Sequence, residues 1–322
     1  MMRRFLFISI LLLSTVVVYA QQDAQQSQYM FNGIYINPAY AGYKENLNLH
    51  AYYRSQWTDV PGSPRSMSLA IDAIANDGNV GLAFQIANDK LGAQHHLSAY
   101  GNYAYRLRMN EDGSSRLALG LGFGFVQTGI NTGMLNPNDP EPDLSGANQN
   151  AIAPDARLGV FYSDNKFYAG ISADNLISQF IDVKKSGAYI AQPKPHYYLT
   201  AGMLLGLSED IMLKPSFLLK DDVAGPTSLD LNAFLLLGEK VWLGGSYRTG
   251  VKIYDKSHLQ NNLTPANTVV AAIEVFPTQN LRIGYGYDFN NSPLTGSGAS
   301  HEISIGFYFK TGRSRMLTPR YF

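Results

Sequence analysis

Hydrophobic and polar residues alternate along most of the chain. The clearest case is the strand-like run 301–310, where every second side chain from Ile303 to Phe309 is a large apolar one. Small or polar side chains, such as Glu302 and Ser304, occupy the alternate positions. A period of two is that of a β-strand with one apolar and one polar face. When it recurs in strand after strand, it is typical of a transmembrane β-barrel, which meets lipid outside and a wet lumen inside.

About fourteen segments carry this pattern, an even number as in bacterial barrels. Most of them approach the roughly 9–11 residues that a tilted strand needs to cross a bilayer. We therefore predict an all-β fold, a transmembrane antiparallel β-barrel of about 14 strands that occupies residues 47–310. The candidate strands lie near 47–56, 65–73, 79–88, 94–107, 115–127, 154–162, 165–173, 196–207, 211–220, 227–237, 240–248, 267–276, 280–290 and 301–310.

Short and long connections alternate through the C-terminal half of the chain. In barrels, tight turns lie at the periplasmic rim and long loops lie outside. The pattern therefore predicts short periplasmic turns, longer extracellular loops and periplasmic ends of the barrel. A soluble β-sandwich or β-repeat protein is the alternative, but neither requires this alternation. The tight turns are 163–165, 208–210, 238–239 and 277–279, and the long loops are about 128–153, 174–195, 249–266 and 291–300.

The N-terminus has the form of a secretory signal peptide. Arg3 and Arg4 precede an almost wholly apolar run, and Val18-Tyr19-Ala20 offers small residues for cleavage after Ala20. A retained membrane anchor is the alternative. No later stretch is long and apolar enough for a transmembrane helix, so a spanning chain must close a sheet. The predicted organisation is a signal peptide (1–20), a periplasmic, plug-like segment (21–46), an outer-membrane barrel (47–310) and a periplasmic tail (311–322).

Composition agrees with a barrel. The hydrophobic content is 45% and the mean hydropathy is −0.13, as expected when apolar and polar residues alternate. The 21 Tyr, 16 Phe and 30 Gly are a β-type set, and aromatic rings suit the interfacial girdles of a barrel. The absence of Cys excludes disulfides and thiolate sites. A balance of 25 basic and 25 acidic residues argues against binding to nucleic acid.

We find no catalytic, cofactor or metal motif. The six His are scattered, and the adjacent His95 and His96 would point to opposite faces of a strand. The run Gly120–Gly124 lies inside a strand and lacks the Lys-Ser/Thr of a phosphate loop. The best polar constellation is a set of inward-facing charges, which favours a charge network in the lumen over a catalytic set. Its members are Arg54, Arg106, Arg116, Arg157, Arg248 and Arg282 with Asp72, Asp230, Glu274 and Asp288.

One region carries a family resemblance. Residues 25–42 read QQSQYMFNGIYINPAYAG, followed by YRSQW at 53–57 and PGSP at 61–64, and the chain ends in PRYF. This order resembles the PorP/SprF family of type IX secretion and gliding proteins, which are outer-membrane barrels of the Bacteroidota. The resemblance extends in length and strand number over the whole chain.

The resemblance implies a non-enzymatic, multi-pass outer-membrane protein without a cofactor. Its implied role is to support secretion or surface anchoring of large C-terminally tagged proteins such as gliding adhesins. Implied partners are other outer-membrane and periplasmic components of the secretion machinery, including peptidoglycan-binding proteins. Two other functions stay open, an outer-membrane transport channel for small molecules and a barrel hydrolase.

The residues expected to engage partners or cargo belong to this family motif. Asn37-Pro38 is a turn initiator, and the aromatic residues around it are potential anchors. The segment either enters the barrel and plugs or braces it, or forms an ordinary pre-strand that caps the sheet. The motif residues are Tyr29, Phe31, Asn37, Pro38, Tyr40, Gly42, Arg54 and Trp57.

Overall fold

The strands form one antiparallel sheet that closes on itself. The computed structural model describes residues 26–134, 149–181, 193–223, 225–256, 267–290 and 298–309. The signal-peptide and tail predictions, for 1–20 and 311–322, lie outside these residues. The strands are β1 (Leu47–Ser55), β2 (Arg65–Ala75), β3 (Val80–Leu91), β4 (Gln94–Arg108), β5 (Arg116–Ile130), β6 (Gln149–Ser163), β7 (Phe167–Asp174), β8 (His196–Met203), β9 (Leu205–Gly206), β10 (Ile211–Asp222), β11 (Thr227–Leu237), β12 (Val241–Val251), β13 (Thr268–Val275), β14 (Leu281–Asn290) and β15 (Ser300–Phe309).

The barrel wall has fourteen strands, because two of the strand segments occupy the same position in the sheet. β8 and β9 both pair with β10, and they are separated only by Leu204, so together they make one interrupted strand. β10 pairs onward with β11, and β1 pairs with β15 from Leu47 opposite Phe309 to Ser55 opposite His301. No edge is therefore left open between the first and last strands. The predicted fold, an all-β antiparallel barrel of about 14 strands, is confirmed.

The two faces of the wall follow the sequence pattern. Ile303 and Ile305 are 53% and 51% exposed on the outside, whereas Ser304 between them is 2% exposed. In β5, Leu119 and Phe123 likewise point outward. The outer surface is thus an apolar belt suited to lipid. Helical structure in the described residues is limited to 3-10 turns, and none of the helices there is long and apolar enough to cross a membrane.

The hairpin connections divide between two ends of the barrel. One end, here the short-turn end, carries the connections β2–β3, β4–β5, β6–β7, β9–β10, β11–β12 and β13–β14, together with the start of β1 and the end of β15. The opposite, long-loop end carries the remaining connections.

The alternation of connection lengths has an exception that the sequence reading missed. β10 and β11 are joined at the long-loop end by residues 223–226 alone. Lys256, in the β12–β13 connection, stabilises this hairpin. Its Nζ donates to Asp221 Oδ1 (2.6 Å) and to the carbonyl of Asp222 (2.8 Å). The prediction that lengths alternate throughout the C-terminal half was therefore wrong at this position.

Single cysteines would establish which end faces the medium. The chain has no Cys, so each introduced thiol is the only one present. We expect an impermeant maleimide to label Thr58→Cys, at the long-loop end, on whole cells and to leave Asn165→Cys, in a tight turn, unlabelled. Both variants should react fully after lysis. Labelling of Asn165→Cys alone on whole cells would mean that the topology is inverted.

Candidate functional site

Residues 26–46, here the lumen segment, lie inside the barrel. Phe31, Ile34 and Ala41 have no solvent exposure. Near its start, the segment contacts Arg248, three residues before the end of β12 at Val251. Near its end, Gly42 approaches Ala73 and Gly81 beside the β2–β3 turn. The lumen segment therefore runs down the barrel from the long-loop end to the short-turn end, where it joins β1.

The lumen segment folds as three successive 3-10 turns: Tyr29–Phe31, Gly33–Tyr35 and Pro38–Tyr40. The third begins at Asn37, whose Oδ1 accepts a hydrogen bond from the Ala39 N–H (2.8 Å), with Pro38 in the first position. Both residue types favour the start of a helical turn. The Asn37 Nδ2 donates to the carbonyls of Val160 (3.1 Å) and Ile171 (3.3 Å). Asn37 thus shapes the turn and joins it to β6 and β7.

Four inward-facing glycines make room for this turn, and we call them the glycine cradle: Gly81, Gly120, Gly159 and Gly170. A methyl group at Gly120 would overlap the backbone of Pro38 and Ala39. One at Gly81 would overlap the Ala41 carbonyl. The backbone of the lumen segment therefore touches the wall where side chains are absent. Gly42 also has a positive φ of +71°, which favours glycine at the end of this region.

Aromatic contacts fix the lumen segment further. The Phe31 ring packs edge-on against Phe234 with centroids 5.3 Å apart, and lies 6.3 Å from Trp242. Tyr40 packs in the same manner against Phe161 (5.6 Å). These contacts bury apolar side chains of both the segment and the wall, which stabilises the docked segment.

The sequence reading missed the apolar wall side chains that receive these rings. Phe234, Leu236, Trp242 and Phe161 point inward and are at most 4% exposed, although a water-filled lumen would favour polar residues there. The signal was present in the run 234–237, Phe-Leu-Leu-Leu, where alternation fails because both faces are apolar.

Arg54 lies at the centre of a buried ionic cluster. Its Nη2 is 2.6 Å from Asp288 Oδ2, and its Nη1 is 3.3 Å from Glu302 Oε2. Nη1 also donates to Ser27 Oγ of the lumen segment (2.8 Å). All three charged side chains are at most 1% exposed. One arginine therefore bridges two carboxylates and ties the start of the lumen segment to the wall.

The other predicted lumen charges also point inward. Arg248 pairs with Asp230 (2.8 Å), another member of the predicted network. Arg157 instead pairs with Asp174 (2.8 Å), a carboxylate that the sequence reading did not include. Arg106 and Arg116 both contact Glu45 at the end of the lumen segment, at 2.9 and 3.2 Å.

The eight motif residues do not form one cluster. Tyr29, Phe31, Asn37, Pro38, Tyr40 and Gly42 lie in the lumen segment, and Arg54 contacts its start. The hydroxyl of Tyr29 accepts a hydrogen bond from Asn232 Nδ2 (2.7 Å). Trp57 lies apart in the β1–β2 connection, where its backbone N–H donates to Ser300 Oγ (3.4 Å). Seven of the eight are therefore enclosed within the chain.

A cavity of about 160 Å³ lies between the lumen segment and the long-loop end. Arg157 and Arg248 lie beside it. Across the described ranges, His, Asp and Glu side chains nowhere gather in a group of three that could hold a metal. The cavity offers aromatic faces and paired charges. Its aromatic lining consists of Tyr29, Tyr35, Tyr52, Tyr100 and Tyr198.

Comparisons with known proteins identify both a family and a fold. The sequence profile described as "Type IX secretion system membrane protein PorP/SprF" matches residues 18–307. A search of curated protein sequences found no match. Among solved structures, the CymD monoaromatic hydrocarbon channel superposes with a TM-score of 0.54 at 13% identity, over 89% of this chain and 94% of the other. This likeness shows the fold alone.

Two further solved barrels superpose less closely. A Pseudomonas aeruginosa FadL homologue gives a TM-score of 0.49 at 9% identity, over 89% of this chain and 95% of the other. The Acinetobacter baumannii outer membrane protein Omp33 gives 0.47 at 7% identity, over 82% and 98%.

Proposed function

The chain belongs to the PorP/SprF family of type IX secretion system membrane proteins, and we propose that it is a non-enzymatic outer-membrane component of that system. In this proposal it supports secretion or surface anchoring of large C-terminally tagged proteins such as adhesins. It does so together with other outer-membrane and periplasmic components, including peptidoglycan-binding proteins. Export through a signal peptide cleaved after Ala20 is part of the same proposal.

The observation that supports this role most is the filled lumen. The lumen segment runs through the barrel toward the short-turn end, and six of its side chains have no solvent exposure: Gln28, Phe31, Asn32, Ile34, Ala41 and Lys44. A conducting pore needs water along its axis. A barrel that keeps its own chain in that space is better suited to hold partners than to pass solutes.

A transport channel for small molecules is the second candidate. The aromatic cavity at the long-loop end favours it, and a related architecture is found in a monoaromatic hydrocarbon channel. Planar-bilayer recordings separate the two candidates. We expect the intact protein to show conductance near zero, and a pull-down from detergent-extracted membranes to recover secretion components. Steady single-channel conductance without such partners would favour the channel.

The family motif provides a direct test of the proposed role. We expect deletion of residues 25–36 to leave a heat-modifiable barrel in the outer membrane but to abolish surface display of cargo. The reason is that the wall carries its own strand pairing and its own ion pairs, Arg248–Asp230 and Arg157–Asp174. Heat modifiability on gels and whole-cell immunolabelling of cargo measure the two effects.

Two outcomes would contradict this prediction in different ways. Normal cargo display by the deletion strain would remove the segment from the mechanism. Loss of the barrel itself would instead mean that the segment is a structural brace.

A further inference from the structure

Two charge pairs of the wall are complete without the lumen segment, whereas Arg106 and Arg116 pair with Glu45 inside it. Arg248 makes three hydrogen bonds of 2.8–3.0 Å to Asp230, and Arg157 donates to Asp174 at 2.8 Å. Both pairs join neighbouring wall strands. Since a buried charge is most costly when it lacks a counter-charge, and these two arginines have theirs in the wall, they do not need the segment for neutralisation.

Several polar wall side chains also make hydrogen bonds to the main chain of the lumen segment. Four basic side chains donate to its backbone carbonyls, while Glu302 accepts the backbone N–H groups of Ser27 (2.8 Å) and Gln28 (2.9 Å). Main-chain groups are common to all peptides, so these contacts fix the direction and path of a peptide rather than its sequence. The donors and their acceptors are Arg248 to Gln26 (3.2 Å), Lys214 to Met30 (3.1 Å), Arg282 to Phe31 (3.1 Å) and Arg157 to Tyr35 (2.7 Å).

Two other sets of contacts depend on the side chains of the peptide and therefore select its sequence. The glycine cradle accepts a turn whose backbone approaches the wall closely, and Asn37 donates from that turn to the β6 and β7 carbonyls. Phe234 and Trp242 accept the Phe31 ring. An aromatic residue followed by an Asn-Pro turn is therefore the ligand that this wall fits.

Glu274 provides a separate observation. This wall carboxylate is fully buried, and neither of its oxygens has a hydrogen-bond partner among the described residues. It interacts electrostatically with Lys214 and Arg282, the two wall cations that donate to the carbonyls of Met30 and Phe31. Glu274 also interacts electrostatically with Lys44 of the lumen segment, so it provides negative charge to the wall cations and to the bound segment alike.

We propose that the inner wall is a peptide-binding site, and that the lumen segment occupies it as a replaceable ligand. The ligand class is a peptide with an aromatic residue six positions before an Asn-Pro turn, as in Phe31 and Asn37 of this chain. Binding does not depend on the covalent link to β1. This inference is independent of the proposed role in secretion, because it concerns only the purified barrel.

The test severs the link after folding. A protease recognition sequence is inserted between Asn46 and Leu47 of the full chain, and the purified, folded protein is cleaved. A fluorescent synthetic peptide of residues 26–44 is then added, and its uptake is followed by anisotropy and gel filtration. We expect the cleaved protein to take up the peptide at least about tenfold more than the uncleaved one. The reason is that a tethered segment competes at an effective concentration in the millimolar range.

Matched controls test which residues of the peptide and of the wall are needed for binding. A peptide in which both Asn37 and Pro38 are replaced by Ala should bind at least about tenfold more weakly, a difference of about 1.4 kcal/mol. Cleaved Gly120→Ala protein should lose uptake, whereas cleaved Gly286→Ala protein should retain it, because a methyl group there meets only ordinary contacts at 3.6 Å or more. Absence of uptake by the cleaved protein, or equal uptake of a scrambled peptide, would overturn the proposal.

Discussion

Replacement of Arg54 by Met is expected to lower the free energy of unfolding of the barrel by about 3–5 kcal/mol, the usual cost of removing one partner from a buried ionic group. The variant leaves Asp288 and Glu302 without the guanidinium that lies 2.6 and 3.3 Å from them. It also removes the 2.8 Å hydrogen bond to Ser27 Oγ, which loosens the start of the lumen segment. Urea unfolding in lipid vesicles, followed by tryptophan fluorescence, measures the loss.

Two further variants separate charge from side-chain volume. Arg108→Met removes an exposed arginine that donates to the Asp77 carbonyl at the short-turn end, and should change stability by less than about 1 kcal/mol. Adding Asp288→Asn and Glu302→Gln to Arg54→Met should restore much of the stability, because no buried charge is then left unpaired. Equal losses for Arg54→Met and Arg108→Met would show that the cluster has no net electrostatic role.

The strands of the barrel could be predicted because the alternation that marks each strand depends only on residues close together in the sequence. Each strand must present apolar side chains to lipid and polar or small ones to the lumen, so the pattern is readable in any ten-residue window. The predicted run 227–237 coincides with β11, and the run 301–310 lies within one residue of β15. The strand ends were predicted less accurately: β6 begins at Gln149 rather than near 154, because its pairing with β5 continues into the predicted loop.

The interior was only partly predictable, because its contacts join residues far apart in the chain. The sequence indicates that Arg54 and Asp288 face inward, and in the structure they form an ion pair across 234 positions. It does not indicate that Gly120 and Gly159 lie beside Asn37 and Pro38, since nothing local distinguishes these glycines from others in the strands. The family motif indicated that residues 29–42 matter, whereas only the structure shows what they touch.

The outward face of β15 allows a test of the membrane orientation itself. Ile305 is 51% exposed near the middle of the strand, with Ile303 and Phe307 on the same face. An arginine on the lipid face near the bilayer midplane costs about 2–4 kcal/mol. Ile305→Arg should therefore reduce the yield of heat-modifiable barrel in the outer membrane and lower its stability to urea by about that amount.

The control must place the same arginine on the inner face without disturbing the lumen segment. Ser304 is unsuitable, because its Oγ donates to Gln28 Oε1 (2.8 Å) in a packed region. Ser228 is better, since it lines the cavity of about 160 Å³ close to Asp230. Ser228→Arg should fold with near-normal yield because its guanidinium meets water and a carboxylate. Similar losses at the two positions would mean that the outer face does not meet lipid, since only a hydrocarbon surround makes the outward arginine more costly than the inward one.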